Sequence, residues 1–150
     1  MIDYLKVADR MWPLLSPLMR GHARLYRATG GRVGDLPGLP PLLLLDHLGA
    51  RSGKLRTTPL VYMPDGDDLV VVPSKGGHPR NPDWLHNLRA HPETTVQIGR
   101  RRLSVRAREA DGEERLRLWP KAVEHNPVWG RYQQRTSRRI PLVILEPRGP

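Results

Sequence analysis

Two short basic, glycine-bearing segments carry the residue types that hold an anion: Arg51-Ser52-Gly53-Lys54-Leu55-Arg56 and Ser74-Lys75-Gly76-Gly77. They combine cations, hydroxyls and glycines that let backbone N–H groups approach a ligand closely. The stretch between them reads as one β-hairpin. Leu55 to Met63 and Leu69 to Val72 are rich in β-branched and apolar residues, and Pro64-Asp65-Gly66-Asp67 is a turn signature. A turn centred on Asp65 and Gly66 places Arg56 opposite or nearly opposite Lys75, and Lys54 near Gly77, within a residue or two. Like charges facing each other destabilise a sheet, so the pattern makes sense with an anion between them, phosphate above all.

Other chemistries lack support. No G-x-G-x-x-G follows a strand, and there is no Walker loop, G-x-S-x-G elbow or H-E-x-x-H helix. His78, His86 and His91 are close in sequence, but no carboxylates or thiolates are spaced to complete a metal site. Trp84 and Trp129 could each be core, the commoner role of a lone tryptophan, although Trp84 lies just past the candidate site and could also serve as a cofactor wall. Trp129 to Tyr132 reads as an aromatic rim. Arg102, Arg106 and Arg108 read as a solvated ladder that could also hold an acidic tail.

Composition sets the frame. The chain of 150 residues fits one domain, with a formal net charge of +10 and a sequence pI of about 11.0, which favours an anionic partner. Only Lys6, Lys54, Lys75 and Lys121 are lysines, so the general excess is arginine and the two lysines at the hairpin mouth stand out. The absence of cysteine excludes a disulfide scaffold and agrees with a reducing compartment. No secretory h-region and no stretch of membrane-spanning length is present, so a soluble, cytoplasmic protein is expected.

The positioning elements follow from periodicity. Residues 1–28 form a helical N-terminal segment, with Leu5, Ala8, Trp12, Leu15, Met19 and Leu25 at roughly helical spacing and Pro13 and Pro17 interrupting it. A Gly/Pro-rich loop leads into a core over 40–147. Leu42 to Leu45 suits a buried strand, and the hairpin of 55–72 follows. Asn81-Pro82-Asp83 opens a helix over Trp84 to Ala90. Thr94 to Ile98 and Leu103 to Ala107 form a second hairpin across Gly99-Arg100-Arg101. Asp111 to Val123 is a helix with acidic residues in its first turn. Tyr132 to Arg139 is a polar, helix-compatible stretch, and Pro141 to Leu145 is a last buried strand. About five strands joined mainly as hairpins, with helices between, describe α+β or a small closed barrel rather than a doubly wound sheet.

These residues match a known pattern. The chain resembles the deazaflavin-dependent nitroreductases, enzymes that use reduced coenzyme F420. The motif-bearing part runs from Leu43 to Pro147 and comprises Gly49-Ala50-Arg51-Ser52-Gly53-Lys54-Leu55-Arg56-Thr57-Thr58-Pro59-Leu60, Pro73-Ser74-Lys75-Gly76-Gly77, Asn81-Pro82-Asp83-Trp84-Leu85-His86-Asn87-Leu88, and Tyr132-Gln133-Gln134-Arg135-Thr136 ahead of Ile140-Pro141. The resemblance implies an α+β split β-barrel of the FMN-binding type, with an N-terminal helix and flanking helices. It implies that Arg51, Lys54 and Arg56 hold the phosphodiester and oligoglutamate tail of F420, with Ser52, Gly53, Thr58 and Pro59 beside them. Pro73, Ser74, Lys75, Gly76 and Gly77 then lie against the deazaflavin and its linker, and Trp84 and Asn87 complete the cofactor set.

Hydride transfer to a quinone or nitro-aromatic acceptor is the implied reaction, with Ser74 and Tyr132 in catalytic roles and Val61, Trp129 and Tyr132 facing the acceptor. Where nitroimidazole-activating members carry tyrosines this chain has Val61, Asn126 and Trp129, which points away from nitroimidazoles and toward quinones. FMN is the alternative cofactor. The alternative functions are an F420-storage protein with little turnover and a nucleic-acid-binding module. The expected partner is a small-molecule acceptor, with no metal and no nucleic acid. A homodimer and a peripheral membrane contact through the segment around Trp12, Leu15 and Met19 are both compatible with the resemblance.

Overall fold

The computed structural model describes residues 17–18, 20–31 and 40–149. Helix α1 covers 20–29, so the expectations placed on Trp12, Leu15 and Met19 lie outside the described residues. Then follow β1 (Leu42–Leu48), β2 (Leu55–Asp65), β3 (Asp68–Val71), a short 3-10 turn (Lys75–Gly77), α2 (Asp83–Ala90), β4 (Glu93–Ile98), β5 (Arg101–Glu109), α3 (Gly112–His125), α4 (Pro127–Gln134) and β6 (Val143–Pro147). The six strands close an antiparallel barrel in the order β1-β2-β3-β6-β5-β4. This is the α+β split barrel that the hairpin pattern and the resemblance imply.

Alternation along each strand decides what fills the barrel. Leu43 and Leu45 of β1, Leu69 and Val71 of β3, Val96 of β4, Val105 of β5 and Val143 and Leu145 of β6 form one buried cluster. Trp84, Leu85 and Leu88 of α2 belong to it and plug one end. The opposite faces of β2, β3 and β6 present Met63, Val70 and Ile144 to a second cluster, joined by Val72 just past β3 and completed by Leu118 and Ala122 of α3 and Trp129 of α4. Helix α1 docks on β1 through Ala23 and Tyr26. Tyr26 is fully buried, donates to the Leu42 carbonyl at 3.0 Å and accepts from Gly99 N–H at 2.9 Å, so one phenol ties α1 to two strand ends. Leu25, expected on the packed face, is 52 % exposed because Ala23 and Tyr26 define that face instead.

Several boundaries differ from the sequence expectation. The first hairpin turns at Gly66 and Asp67, with Asp65 paired to Asp68, because Gly66 takes a positive φ of 59° that suits the tight turn. The helix expected over Tyr132 to Arg139 runs over Pro127–Gln134 instead, since Pro127 supplies a ready first-turn residue directly after α3. The final strand begins at Val143, after Leu142 has given its carbonyl to Ala110 N–H at 2.9 Å.

Candidate functional site

The cationic turn between β1 and β2 is built by its glycines and one asparagine. Gly49 N–H donates to the Lys54 carbonyl and Gly53 N–H to the Gly49 carbonyl, both at 2.9 Å. Gly53 has φ of 65°, and a Cβ on Gly49 would sit 2.3 Å from Ser52 Oγ, so neither position takes a larger residue without rearrangement. Ser52 Oγ also accepts from Lys54 N–H at 3.2 Å. From α2, Asn87 Oδ1 accepts Ala50 N–H at 2.9 Å and anchors the turn to the barrel's end. Arg51, Lys54 and Arg56 are exposed and have no acidic partner among the described residues.

Lys75 does not stand opposite Arg56 in a ladder. Strand β3 ends at Val71, paired with Tyr62, and the chain then leaves the sheet. Pro73 to Gly77 crosses instead toward α4. Lys75, Gly76 and Gly77 have φ of 45°, 64° and 82°, a left-handed run that is strained for the lysine. A Cβ on Gly77 would lie 2.7 Å from the Tyr132 carbonyl oxygen and 2.8 Å from Arg135 Cβ, so the glycine allows the loop to abut α4. A Cβ on Gly53 or Gly76 meets nothing within 4 Å: both glycines face open space. Because β3 is so short, β2 carries no ladder partner on its second edge from Leu55 to Val61 among the described residues. This edge is the split of the barrel, and it accommodates Pro59, which has no N–H to offer.

Ser74 is 8 % exposed, makes no side-chain cap bond and has no side-chain partner among the described residues. No buried side-chain oxygen is left unsatisfied, so its hydroxyl reaches the open side of the loop. Tyr132 is half-buried, packs like Val61 against the margin of the second cluster, and lies under the Arg135 guanidinium, whose central carbon is 5.4 Å from the ring centroid.

The two tryptophans are placed inside. Trp84 is in the barrel core and Trp129 is 4 % exposed in the second cluster, its ring stacked on His125. The segment read as an aromatic rim is thus a helix, and burial of Trp129 on its inner face leaves Tyr132 as the half-exposed aromatic there. The arginine ladder is solvent-exposed, as its alternation implies, but it is paired. Arg102 reaches Asp46 at 3.4 Å, Arg106 reaches Glu93 at 3.1 Å, and Arg108 clamps Glu114 and Glu146. Each faces a carboxylate, Asp46 being shared with Arg27 and Glu93 with Arg148, which leaves the ladder poorly suited to a further acidic tail.

Two contributors went unnoticed in the sequence. Arg138 donates from Nε to the His78 carbonyl at 2.7 Å, from one terminal nitrogen to Asn81 Oδ1 at 2.9 Å, and from the other to the Pro73 and Ser74 carbonyls at 3.1 and 2.9 Å. One side chain therefore shapes the whole Ser74 loop; burial lowers its pKa. His47, 4 % exposed, lies between Thr58 Oγ1 and Asn87 Nδ2 at 2.9 Å each. Its pKa is lowered, chiefly by burial and next by the Arg56 charge. Outside this site, a cleft of about 580 Å³ lies between the end of α1 and the β4–β5 turn, lined by Arg27, Arg100, Arg102 and Gln97. Among the described residues no cluster of acidic, histidine or cysteine side chains could hold a metal ion.

The chain as a whole is similar to known proteins. An F420H(2)-dependent quinone reductase of Mycobacterium tuberculosis is 45 % identical over 132 residues, covering 85 % of this chain and 89 % of that protein. A solved F420-H2 dependent reductase is 40 % identical with a TM-score of 0.65, over 75 % of this chain and all of that one. A structure described as a domain-swapped dimer is 37 % identical with a TM-score of 0.67, over 87 % of this chain and 98 % of that one. The family model described as F420H(2)-dependent quinone reductase matches residues 18–147, and the chain belongs to that family.

Proposed function

We propose that this protein oxidises reduced coenzyme F420 and delivers its hydride to a quinone-class acceptor at the split of the barrel. The observation that carries the assignment of the site is the set of exposed cations Arg51, Lys54 and Arg56, without an acidic partner among the described residues, on and just after a turn whose glycine faces open space; the Ser74 loop adds a hydroxyl that no described side chain engages. That donor set fits a cofactor with a phosphodiester and carboxylates at one end and a flat ring at the other. Each charge-assisted hydrogen bond to such a tail contributes about 1.5–3 kcal/mol.

When bound, F420 supplies the hydride, from C5 of its reduced ring, so this chain needs no redox group of its own. Its residues bind and orient. Arg51, Lys54 and Arg56 neutralise the tail, and the left-handed backbone of Lys75 to Gly77 lets the ring and linker approach the main chain. Ser74 Oγ donates a hydrogen bond or passes a proton at the reacting end, with Tyr132 assisting. Val61 and Tyr132 form the apolar wall for the acceptor. A flat quinone is favoured over a nitroimidazole because Val61 and the inward-facing Trp129 leave few aromatic side chains at the opening.

Two further elements belong to this reading. Exposed Leu18 and, on α1, exposed Leu25, together with the exposed Arg20 and Arg24, support a peripheral contact with a membrane that holds the quinone. No described helix is long and apolar enough to cross one. The domain-swapped relative supports a homodimer.

The test is titration of the purified protein with F420, FMN and duplex DNA at two salt concentrations, followed by oxidation of reduced F420 with menadione. Saturable, selective F420 binding with menadione turnover is expected. Binding without turnover would indicate a storage role, and salt-sensitive DNA binding without F420 binding would overturn the reading.

A further inference from the structure

A polar chain, buried at its centre, joins the two sides of the cationic turn: Ala50 N–H, Asn87, His47 and Thr58, with every link at 2.9 Å. Its bonding directions are fixed from one end to the other. The Ala50 amide can only donate, so the Asn87 atom facing it is Oδ1 and the amide nitrogen faces His47 Nδ1. Nδ1 must then accept and carry no proton, which leaves the proton on Nε2 to be donated to Thr58 Oγ1. With that lone pair of Thr58 engaged, the hydroxyl hydrogen is directed away from His47. It finds no other acceptor among the described residues.

We infer that His47 is a positioning residue for the anion site: one neutral imidazole holds the turn that carries Arg51 and Lys54 and, at its other ring nitrogen, aims the Thr58 hydroxyl as a further donor beside Arg56. The identity of the anion rests on the F420 reading; the hydrogen-bonded chain does not.

The inference has a sign that simple electrostatics does not share. A proton added at Nδ1 faces the Asn87 amide hydrogens, and turning Asn87 over only moves the conflict to the Ala50 N–H, so protonation breaks a link either way. The charged groups around the ring are Asp46 on its own strand, Arg56 on β2 and Asp83 on α2. A new positive charge beside Arg56 would by itself tighten an anion, whereas loss of the chain loosens it.

F420 affinity is to be measured by fluorescence from about pH 7.5 to about pH 5, across the histidine range, for wild type, His47→Asn and His47→Gln. Asparagine keeps an acceptor toward Asn87; glutamine keeps a donor toward Thr58. At neutral pH each variant is expected to bind about three- to tenfold more weakly, the worth of one hydrogen bond, while remaining folded in a thermal melt. Toward low pH the wild type is expected to lose that advantage, and the wild-type-to-variant ratio cancels ionisation of the cofactor itself. A pH-independent ratio, or wild type gaining on the variants at low pH, would overturn the inference.

If wild type fails to bind F420, the functional reading fails and nitrogen NMR of the free protein decides this one. An Nε2–H tautomer at His47, with an Ala50 amide resonance that shifts in His47→Gln and follows the titration of His47, supports it; a protonated Nδ1 or an unresponsive Ala50 overturns it.

Discussion

Arg138 and Ser74 are 64 residues apart in the chain, yet the guanidinium of Arg138 donates to the Ser74 carbonyl at 2.9 Å. The same group holds three more acceptors on Pro73, His78 and Asn81. Gln133 holds Arg138 in turn, donating to its carbonyl at 2.8 Å and accepting Ile140 N–H at 2.9 Å. The Ser74 loop thus takes its shape from the segment after α4.

Arg138→Lys should therefore be far from conservative. A lysine ammonium has one nitrogen and cannot serve four acceptors spread around a planar fork. The expected loss is about 2–4 kcal/mol in denaturant unfolding, as several part-buried carbonyls lose their donor, together with weaker F420 binding. A variant with wild-type stability and affinity would show that the loop holds its form without the clamp.

Gly76 and Gly77 are adjacent and both left-handed, but they should respond differently to alanine. At Gly76 the added methyl meets open space, so the cost is the backbone term of about 1–2 kcal/mol. At Gly77 the methyl would press on the Tyr132 carbonyl at 2.7 Å, adding about 1–3 kcal/mol of overpacking and displacing α4 from the loop. Unfolding midpoints of the two variants measure the difference; equal midpoints would show that α4 moves without cost.

How much of this could be read from residues alone follows from how local each signal is. The hairpin from Leu55 to Val71 and the alternation in β5 were legible because strand pattern and turn chemistry lie within a few residues. The second edge of β3, bound to β6, and the β1–β4 pairing that closes the barrel join distant segments and leave no such trace. The cationic turn stood out through scarce lysine and paired glycines. Arg138 did not, because among so many arginines nothing local marks the one whose partners lie 57 to 65 residues upstream. His47 was equally silent: a lone histidine in an apolar strand shows its role only when Asn87, 40 residues on, is folded against it. Trp129 misled because tryptophan between proline and glycine reads as a rim until α3 supplies the surface that buries it.

Arg56→Ala and Ser74→Ala should separate binding from chemistry. Arg56 is exposed and without an acidic partner among the described residues, so its removal should change folding stability by less than about 0.5 kcal/mol, while F420 binding weakens by about 1.5–3 kcal/mol, roughly ten- to a hundredfold. Parallel loss of stability and affinity would remove Arg56 from the site.

Ser74→Ala deletes a hydroxyl that no described side chain engages. If it acts mainly on the transition state, menadione turnover should fall about tenfold or more with little change in F420 affinity. Unchanged turnover would assign the loop to binding alone.

Stability should decline with acid in two separable windows. The His47 pKa is depressed below its ordinary 6.5 by burial and by Arg56, so the unfolded chain takes up this proton first. Its contribution is present above about pH 6.5 and is lost as pH falls through the lower folded value. Asp65, Glu109 and Glu114 are held below their ordinary values by hydrogen bonds from Arg117, Arg89 and Arg108 respectively. Their share is present above about pH 4.5 and lost below it. These three pairs lie at the surface, so added salt should shrink the second window while leaving the first, which originates in burial, nearly intact. Urea midpoints measured across pH, with His47→Asn as the control, check the assignment: the variant should lack the upper window and keep the lower. An upper window that survives in the variant would trace that acid sensitivity to another group.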